Sequence, residues 1–111
     1  MATARIKNLL GIAQKGGFVV SGSNLILMET AKKGKKAGEL VLIAADALTP
    51  TGEDLAAACR GKGLAVRRAP LDKNELGLAI GKSQRGYVMI KDKGIAGRII
   101  ALLEEMEESR P

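Results

Sequence analysis

The chain has 111 residues, with 18 basic and 12 acidic side chains, a formal net charge of +6 and a sequence pI of about 9.7. Apolar residues make up 46% of it, which suits a single domain with one core over residues 1–111. The longest apolar run, residues 40–45, is far shorter than the roughly 20 residues that cross a bilayer, so no membrane contact is expected. Cys59 is the only cysteine, which excludes an internal disulfide and favours a cytoplasmic location.

The positive charge is concentrated in residues 1–103, which carry 17 basic and 8 acidic side chains, a net +9. A polyanionic partner such as nucleic acid would complement this charge. The remaining four acidic residues are Glu104, Glu105, Glu107 and Glu108, which indicate a solvated, acidic C-terminal helix end.

The first half of the chain alternates helical and strand-like patterns. Residues 4–15 place apolar side chains at helical spacing, and Gly16–Gly17 ends the pattern. Val19–Val20 indicates a short strand, and a helix is predicted from about residue 22 to 33. The continuous apolar run 40–45 is typical of a strand that is covered on both faces.

The alternation continues in the second half. Thr49–Pro50 begins a helix whose inward-facing residues are predicted to be Leu55, Ala58 and Cys59, and a strand follows at 64–68. Asp72 and Glu75 form a capping-box pattern before a helix that Gly81 ends. A strand at 86–90 and a final helix capped by Asp92 complete the pattern. These elements predict an α/β fold of four strands and five helices, with mostly parallel neighbouring strands between helical layers.

The segment Ser21-Gly22-Ser23-Asn24 is the most informative turn of the chain. Ser21 or Ser23 is predicted to cap the following helix, and Gly22 lets another backbone approach closely. The first turn of a helix presents unpaired N–H groups that suit a phosphate, and the Asn24 amide could read a base edge. An ordinary strand-to-helix turn would give the same pattern, and this alternative stays open.

Several chemistries have no candidates in this sequence. It contains no histidine, and its single thiol is expected to be a small core residue, so neither a metal site nor general acid–base catalysis is expected. Gly81-Lys82-Ser83 resembles the end of a phosphate-binding P-loop, but Leu76 stands where that motif needs glycine. No catalytic residue, cofactor or metal ion is therefore predicted.

Aromatic residues are too few for a base-stacking sheet. Phe18 and Tyr87 are the only two, and both are expected in the core. If nucleic acid binds, phosphates, backbone amides and a few polar side chains must provide the recognition, which suits a structured RNA.

Five stretches in the same order resemble a known family: residues 9–17, 20–24, 40–46, 76–82 and 92–96. The chain resembles the L-seven-Ae-like kink-turn RNA-binding proteins, and most closely their bacterial YlxQ branch. The resemblance implies a three-layer α/β/α sandwich with a four-stranded mixed sheet. It also implies a non-catalytic, monomeric protein that grips sharply bent RNA beside tandem sheared G·A pairs.

The family's recognition turn reads Gly-x-Asn-Glu-x-x-Lys, and Gly22 and Asn24 match it. Leu25 and Met28 stand where the family has Glu and Lys, so weaker binding with more reliance on charge is expected. Lys32, one turn further on, matches a basic position of the family. The loop that packs on a flipped-out nucleotide in the family is polar here.

The resemblance and the charge pattern together give ten candidate RNA-binding residues: Gln14, Lys15, Gly22, Ser23, Asn24, Lys32, Lys35, Lys36, Lys82 and Arg85. Kink-turn-type ribosomal RNA or a riboswitch is the predicted partner, which makes the ribosome one candidate location. One alternative is a protein–protein adaptor on the ribosome or transcription machinery, using Leu25 and Met28. Another is an enzyme acting on a nucleotide or RNA, but Asp46 and Asp92 are predicted to be a loop residue and a helix cap.

Overall fold

The computed structural model describes residues 2–32 and 38–108. In these ranges the predicted four strands and five helices are confirmed. Their order is α1 (Ala2–Lys15), β1 (Val19–Ser21), α2 (Ser23–Thr30), β2 (Leu40–Ile43), α3 (Pro50–Gly61), β3 (Ala65–Arg68), α4 (Lys73–Ala79), β4 (Tyr87–Ile90) and α5 (Lys93–Glu108). Helix α2 ends earlier than predicted, at Thr30 rather than near residue 33.

The sheet has the strand order β1-β4-β2-β3. Only β2 and β3 run parallel, whereas β4 runs antiparallel to both β1 and β2. The mixed sheet that the resemblance implies is confirmed, and the prediction of mostly parallel neighbours is wrong. The physical reason is that the last strand inserts between the first two, and an alternation of elements along the chain carries no information about such an insertion.

Helices cover both faces of the sheet and form a three-layer α/β/α sandwich. Helix α1 packs against α4 and α5 in one layer, and α2 packs against α3 in the other. All four residues of β2 are buried, as the continuous apolar run predicts. The largest fully buried side chains include Ile6, Leu10, Ile26, Leu76, Met89 and Ile99, which belong to one core cluster.

Helix α3 departs from its predicted inward face. Leu55 and Cys59 are buried as predicted, but Ala58 is exposed and Ala56 is buried in its place. Periodicity alone did not distinguish between these small residues, because either one lies beside the Leu55–Cys59 stripe. Burial raises the pKa of the Cys59 thiol, which keeps it protonated as a core residue.

Local capping patterns predicted three helix starts correctly. The Thr49 hydroxyl accepts a hydrogen bond from the Gly52 amide at 3.3 Å. Asp72 and Glu75 make the reciprocal capping box, with bonds of 2.8 and 3.2 Å. The carboxylate of Asp92 accepts from the Ile95 amide at 2.8 Å. These bonds involve residues three apart, so the sequence specifies them directly.

The two aromatic residues are less buried than predicted. Phe18 is 39% exposed, so its assignment to the core is wrong. Phe18 directly precedes β1, which is an edge strand. Because a neighbouring strand lies on one side only, part of the side chain stays exposed. Tyr87 is half-buried, and its hydroxyl donates to the Ala47 carbonyl at 3.5 Å.

No helix within residues 2–32 and 38–108 combines the length and apolar character needed to cross a membrane. In the same ranges, no three histidine, cysteine, aspartate or glutamate residues are grouped so that they could hold a metal ion.

Gly77 lets helix α4 touch the loop that follows it. The Lys82 amide donates to the Gly77 carbonyl at 2.9 Å, and a Cβ added at Gly77 would overlap the carbonyl oxygen of Ser83. The overlapped atom belongs to the backbone, so it could move only if the whole loop moved.

We expect Gly77→Ala to lower the free energy of unfolding by about 1–3 kcal/mol, because the new methyl group overpacks this contact. Gly97→Ala is the matched control, since Gly97 is also helical and its added Cβ meets nothing within 4 Å. The control should raise stability by up to about 1 kcal/mol through helix propensity alone. Urea denaturation measures both changes, and equal effects at the two positions would contradict the close contact.

Candidate nucleic-acid interface

The helix entrance, residues Ser21–Asn24, joins edge strand β1 to α2. Gly22 is the N-cap residue, with φ of 93°, a left-handed conformation that favours glycine. Its amide donates to the Tyr87 carbonyl at 3.0 Å, and its carbonyl accepts from the Ile26 amide at 3.0 Å. The prediction that Ser21 or Ser23 caps this helix is wrong, because no side chain makes the capping bond.

This arrangement leaves the start of α2 open to a ligand. A Cβ added at Gly22 would meet nothing within 4 Å, and the Asn24 side chain is exposed. First-turn N–H groups that no side chain caps carry the positive end of the helix dipole. The entrance can therefore donate hydrogen bonds to an anion, and Asn24 can both donate and accept beside them.

The loop Gly81–Arg85, hereafter the 81–85 loop, lies beside the entrance. The Arg85 guanidinium donates to the Ser21 hydroxyl at 3.2 Å, to the Ser83 hydroxyl at 3.1 Å and to the Gln84 carbonyl at 2.8 Å. The Arg85 amide also donates to the Lys73 carbonyl at 3.1 Å. Arg85 is thus half-buried and joins the loop to the entrance, whereas Lys82 is exposed.

The Glu29 cluster, formed by Glu29, Lys32 and Lys91, lies at the other end of α2. The Glu29 carboxylate accepts from Lys32 at 2.8 Å and pairs with Lys91 at 3.3 Å. The hydrogen bond from Lys32, together with Lys91, lowers the pKa of Glu29, although partial burial opposes the shift. The Glu29 side chain is only 16% exposed, so the carboxylate lies beneath the two lysines.

Sequence reasoning missed Lys91. It follows β4 directly, and its amide donates to the Phe18 carbonyl at 2.8 Å. No local signal connects it to Lys32, because the strand register and the Glu29 contact bring the two lysines together. An antiparallel pairing of residues 19–21 with 88–90 would have revealed it.

The eight predicted residues that the structure describes fall into two groups along β1. Gly22, Ser23 and Asn24 lie at one end, where the Arg85–Ser21 hydrogen bond holds the loop that carries Lys82. Lys32 lies two residues beyond the last residue of α2, at the opposite end of that helix from Asn24. Lys15 is exposed and Gln14 half-buried at the end of α1, which leads into the start of β1. Lys35 and Lys36 lie outside the described residues.

An apolar face accompanies Asn24 on α2. Leu25 is 55% exposed and Met28 is 65% exposed. Their spacing of three residues makes them neighbours on the helix surface. Leu25 and Met28, which stand where the family pattern has Glu and Lys, are therefore both exposed to solvent.

The fold and the entrance define a class of protein. It is a three-layer α/β/α sandwich in which no side chain caps the start of α2, the N-cap residue is glycine, and a loop with two cations lies beside it. No protein-family model matches the chain. It is 34% identical over 100 residues to "RNA-binding protein YlxQ" of Bacillus subtilis (strain 168). The match covers 86% of this chain and 92% of that protein.

Two solved structures share the fold. One is a protein of unknown function from Bacillus halodurans, with a TM-score of 0.79 and 26% identity, covering 91% of this chain and 98% of that one. The other is the 15.5kD RNA-binding protein of Giardia lamblia, with a TM-score of 0.68 and 28% identity, covering 96% and 88%. The chain belongs to the L-seven-Ae-like family, in its YlxQ branch.

The lowered pKa of Glu29 predicts how stability depends on pH. A carboxyl group whose pKa is depressed by folding stabilises the protein above its unfolded pKa, near 4.5, and loses that contribution as the pH falls through its folded pKa. We expect Glu29→Gln to cost about 1 kcal/mol or less at pH 7, because both lysines are solvent-accessible. The cost should shrink towards pH 3. Denaturation at several pH values measures it, and a difference that does not change with pH would contradict the ion pairs.

Proposed function

We propose that this chain is a non-catalytic RNA-binding protein that recognises bent RNA of the kink-turn type. The observation that carries the proposal is the open helix entrance, with Asn24 exposed and the 81–85 loop held beside it. The names of two relatives, both RNA-binding proteins, support the general function. The net charge of +6 complements a polyanion.

The entrance supplies the contacts that would read the RNA. Backbone amides at Gly22–Asn24 and the Asn24 side chain would engage the sheared pairs from the minor groove, where hydrogen-bonding edges are accessible in RNA. Lys82 would lie against one phosphate backbone, and Lys15 and Lys32 against another. Lys35 and Lys36 belong to the same proposal. Arg85 contributes mainly by holding the loop, because its donors already bind Ser21, Ser83 and Gln84.

A bent RNA fits this arrangement better than a straight duplex. Helix α2 is about 12 Å long. The loop that carries Lys82 and Arg85 lies at its first end, beside the entrance, and Lys32 follows its last end. A sharp bend brings two phosphate backbones close enough to contact both groups of cations while exposing base edges to the entrance. We propose that residues 1–111 act as one domain, as a cytoplasmic monomer, on ribosomal RNA or a riboswitch.

We expect Asn24→Ala to weaken binding to a kink-turn RNA by about 5- to 150-fold, since a base-edge contact is worth roughly 1–3 kcal/mol. Binding to a straight duplex of equal length should change little, because that binding depends on phosphates alone. Asn8→Ala is the control, since Asn8 is exposed on α1 and lines a cavity of about 470 Å³ with Arg98 and Glu105 of α5, away from the entrance. Electrophoretic mobility shifts measure all six combinations of the three proteins with the two RNAs, and equal wild-type affinity for kinked and straight RNA would contradict shape recognition.

A second candidate function is a protein–protein adaptor on the ribosome or transcription machinery. The exposure of Leu25 and Met28 side by side favours it, because adjacent exposed apolar side chains are typical of a protein contact. In that case the same face of α2 would meet a protein rather than RNA.

Met28→Lys separates the two candidates. If this face meets RNA, the new cation should tighten binding several-fold and steepen the dependence of affinity on salt by about one phosphate contact. Leu48→Lys is the control, since Leu48 is also an exposed apolar residue but lies beside Arg60 and Arg67, near the opposite edge strand. Titrations at several salt concentrations measure the slopes, and identical slopes for the two variants would favour the adaptor.

A further inference from the structure

Phe18 is an aromatic side chain that the proposed kink-turn contacts do not use. A Cβ added at Gly16 would lie 2.6 Å from Phe18 Cε2 and 2.7 Å from Cδ2, so the ring lies directly over the Gly16 backbone. The residue is nevertheless 39% exposed. One part of the ring is thus supported by main chain, which fixes its position, while another part remains accessible to solvent.

Lys91 lies opposite Phe18 in the strand register, Lys15 precedes it in the chain, and Lys32 is linked to Lys91 through Glu29. The Lys91 amide donates to the Phe18 carbonyl at 2.8 Å, which continues the Val19–Ile90 register by one position. Residues that face each other in this way have Cβ atoms about 5 Å apart on the same side of the sheet. Lys91 belongs to the Glu29 cluster, so Lys32 is held nearby as well. Lys15 is exposed at the end of α1, three residues before Phe18.

These surroundings favour a nucleotide over a protein side chain. Every nucleobase has a face that stacks on an aromatic ring, and every nucleotide brings a phosphate that pairs with lysine. An apolar protein partner would have to bring its own apolar surface among three lysines. Glu29 is the acidic group in the cluster, and its charge is already shared between Lys32 and Lys91.

We propose that Phe18 is a stacking platform for an unpaired base of an RNA strand that continues past the bound element. Lys91 contacts a flanking phosphate, and Glu29 is a positioning residue that holds Lys32 and Lys91. The platform rests on the proposed RNA-binding function and extends it. Phe18 lies at the opposite end of β1 from Gly22, about 13 Å away along an extended strand, so it serves a part of the RNA that the entrance does not reach.

The first experiment uses the absence of tryptophan from the chain. Phe18→Trp introduces a unique indole at the platform, and Leu48→Trp introduces one at another exposed site. Titration with an eight-nucleotide oligoadenylate should quench the Phe18→Trp fluorescence strongly and to saturation, because a stacked base deactivates the indole. The Leu48→Trp signal should change little. Adding Lys91→Ala to Phe18→Trp should weaken the titration several-fold. Equal quenching of the two indoles, or no effect of Lys91→Ala, would overturn the proposal.

The second experiment measures the effect of the platform on affinity. A kink-turn RNA with blunt ends is compared with the same RNA carrying a six-nucleotide adenosine extension on each strand end in turn. We expect one extension to tighten wild-type binding about tenfold, which is typical of a stacked base with its phosphate. Phe18→Tyr should keep this gain. Phe18→Leu should lose it, although leucine keeps an apolar contact with Gly16.

The outcomes separate the platform from the proposed function. The stacking-platform proposal is overturned if the extension does not increase affinity, or if Phe18→Leu keeps that increase, even when the blunt kink-turn RNA binds well. Equal wild-type binding to kinked and straight blunt RNA would overturn kink-turn recognition, while quenching of Phe18→Trp by oligoadenylate would still support the platform. Thermal unfolding of the Phe18 variants confirms that all are folded at the assay temperature.

Discussion

The antiparallel pairing of β1 with β4 is the constraint on which the candidate interface depends. Ser21 pairs with Val88 at one end of this ladder, and Val19 pairs with Ile90 at the other. The first end brings Gly22 to the Tyr87 carbonyl and therefore places the 81–85 loop beside the helix entrance. The second end brings Phe18 to Lys91. A shift of register by one residue would separate both pairs of neighbours and move every side chain to the other face.

The entrance keeps its donors available because other groups provide the local stability. The Arg85 guanidinium makes one hydrogen bond to Ser21 at the end of β1 and two within the 81–85 loop, and no side chain caps the start of α2. Gly77 permits the same loop to pack on α4. The loop and the entrance are therefore positioned before any ligand arrives, which reduces the entropy lost on binding.

The cations form a track along the edge of the sheet. Lys82 and Arg85 lie at the entrance end of β1, and the Glu29 cluster lies at the other end. Within the cluster, one carboxylate offsets part of the charge but fixes the positions of two lysines that would otherwise repel each other. The proposed binding surface thus combines one polar end held in place by Arg85 with one positively charged end, and in that proposal the RNA lies across both.

Most residues of the proposed interface were named from the sequence, and the structural errors of that reading have identifiable causes. Gly22 and Asn24 were assigned to the helix entrance, with Lys82 and Arg85 on one flank, and the Arg85–Ser21 hydrogen bond joins the loop that carries both cations to the entrance. The assignments of a serine cap, a core Phe18 and mostly parallel strands were wrong. Each of these errors concerns the neighbours of the strands. Because β4 inserts between β1 and β2, β1 lies at an edge of the sheet, and Arg85, which precedes β4, reaches Ser21.

The sequence by itself determined the order of elements, the buried character of β2, the N-terminal caps of α3, α4 and α5, and the family. These features depend on residues a few positions apart or on ordered local motifs, so they can be read along the chain. Only the tertiary structure decided the strand order, the meeting of Lys91 with Lys32 through Glu29, and the exposure of Phe18 over Gly16. These features arise from contacts between residues far apart in the chain, and packing of the whole core selects them.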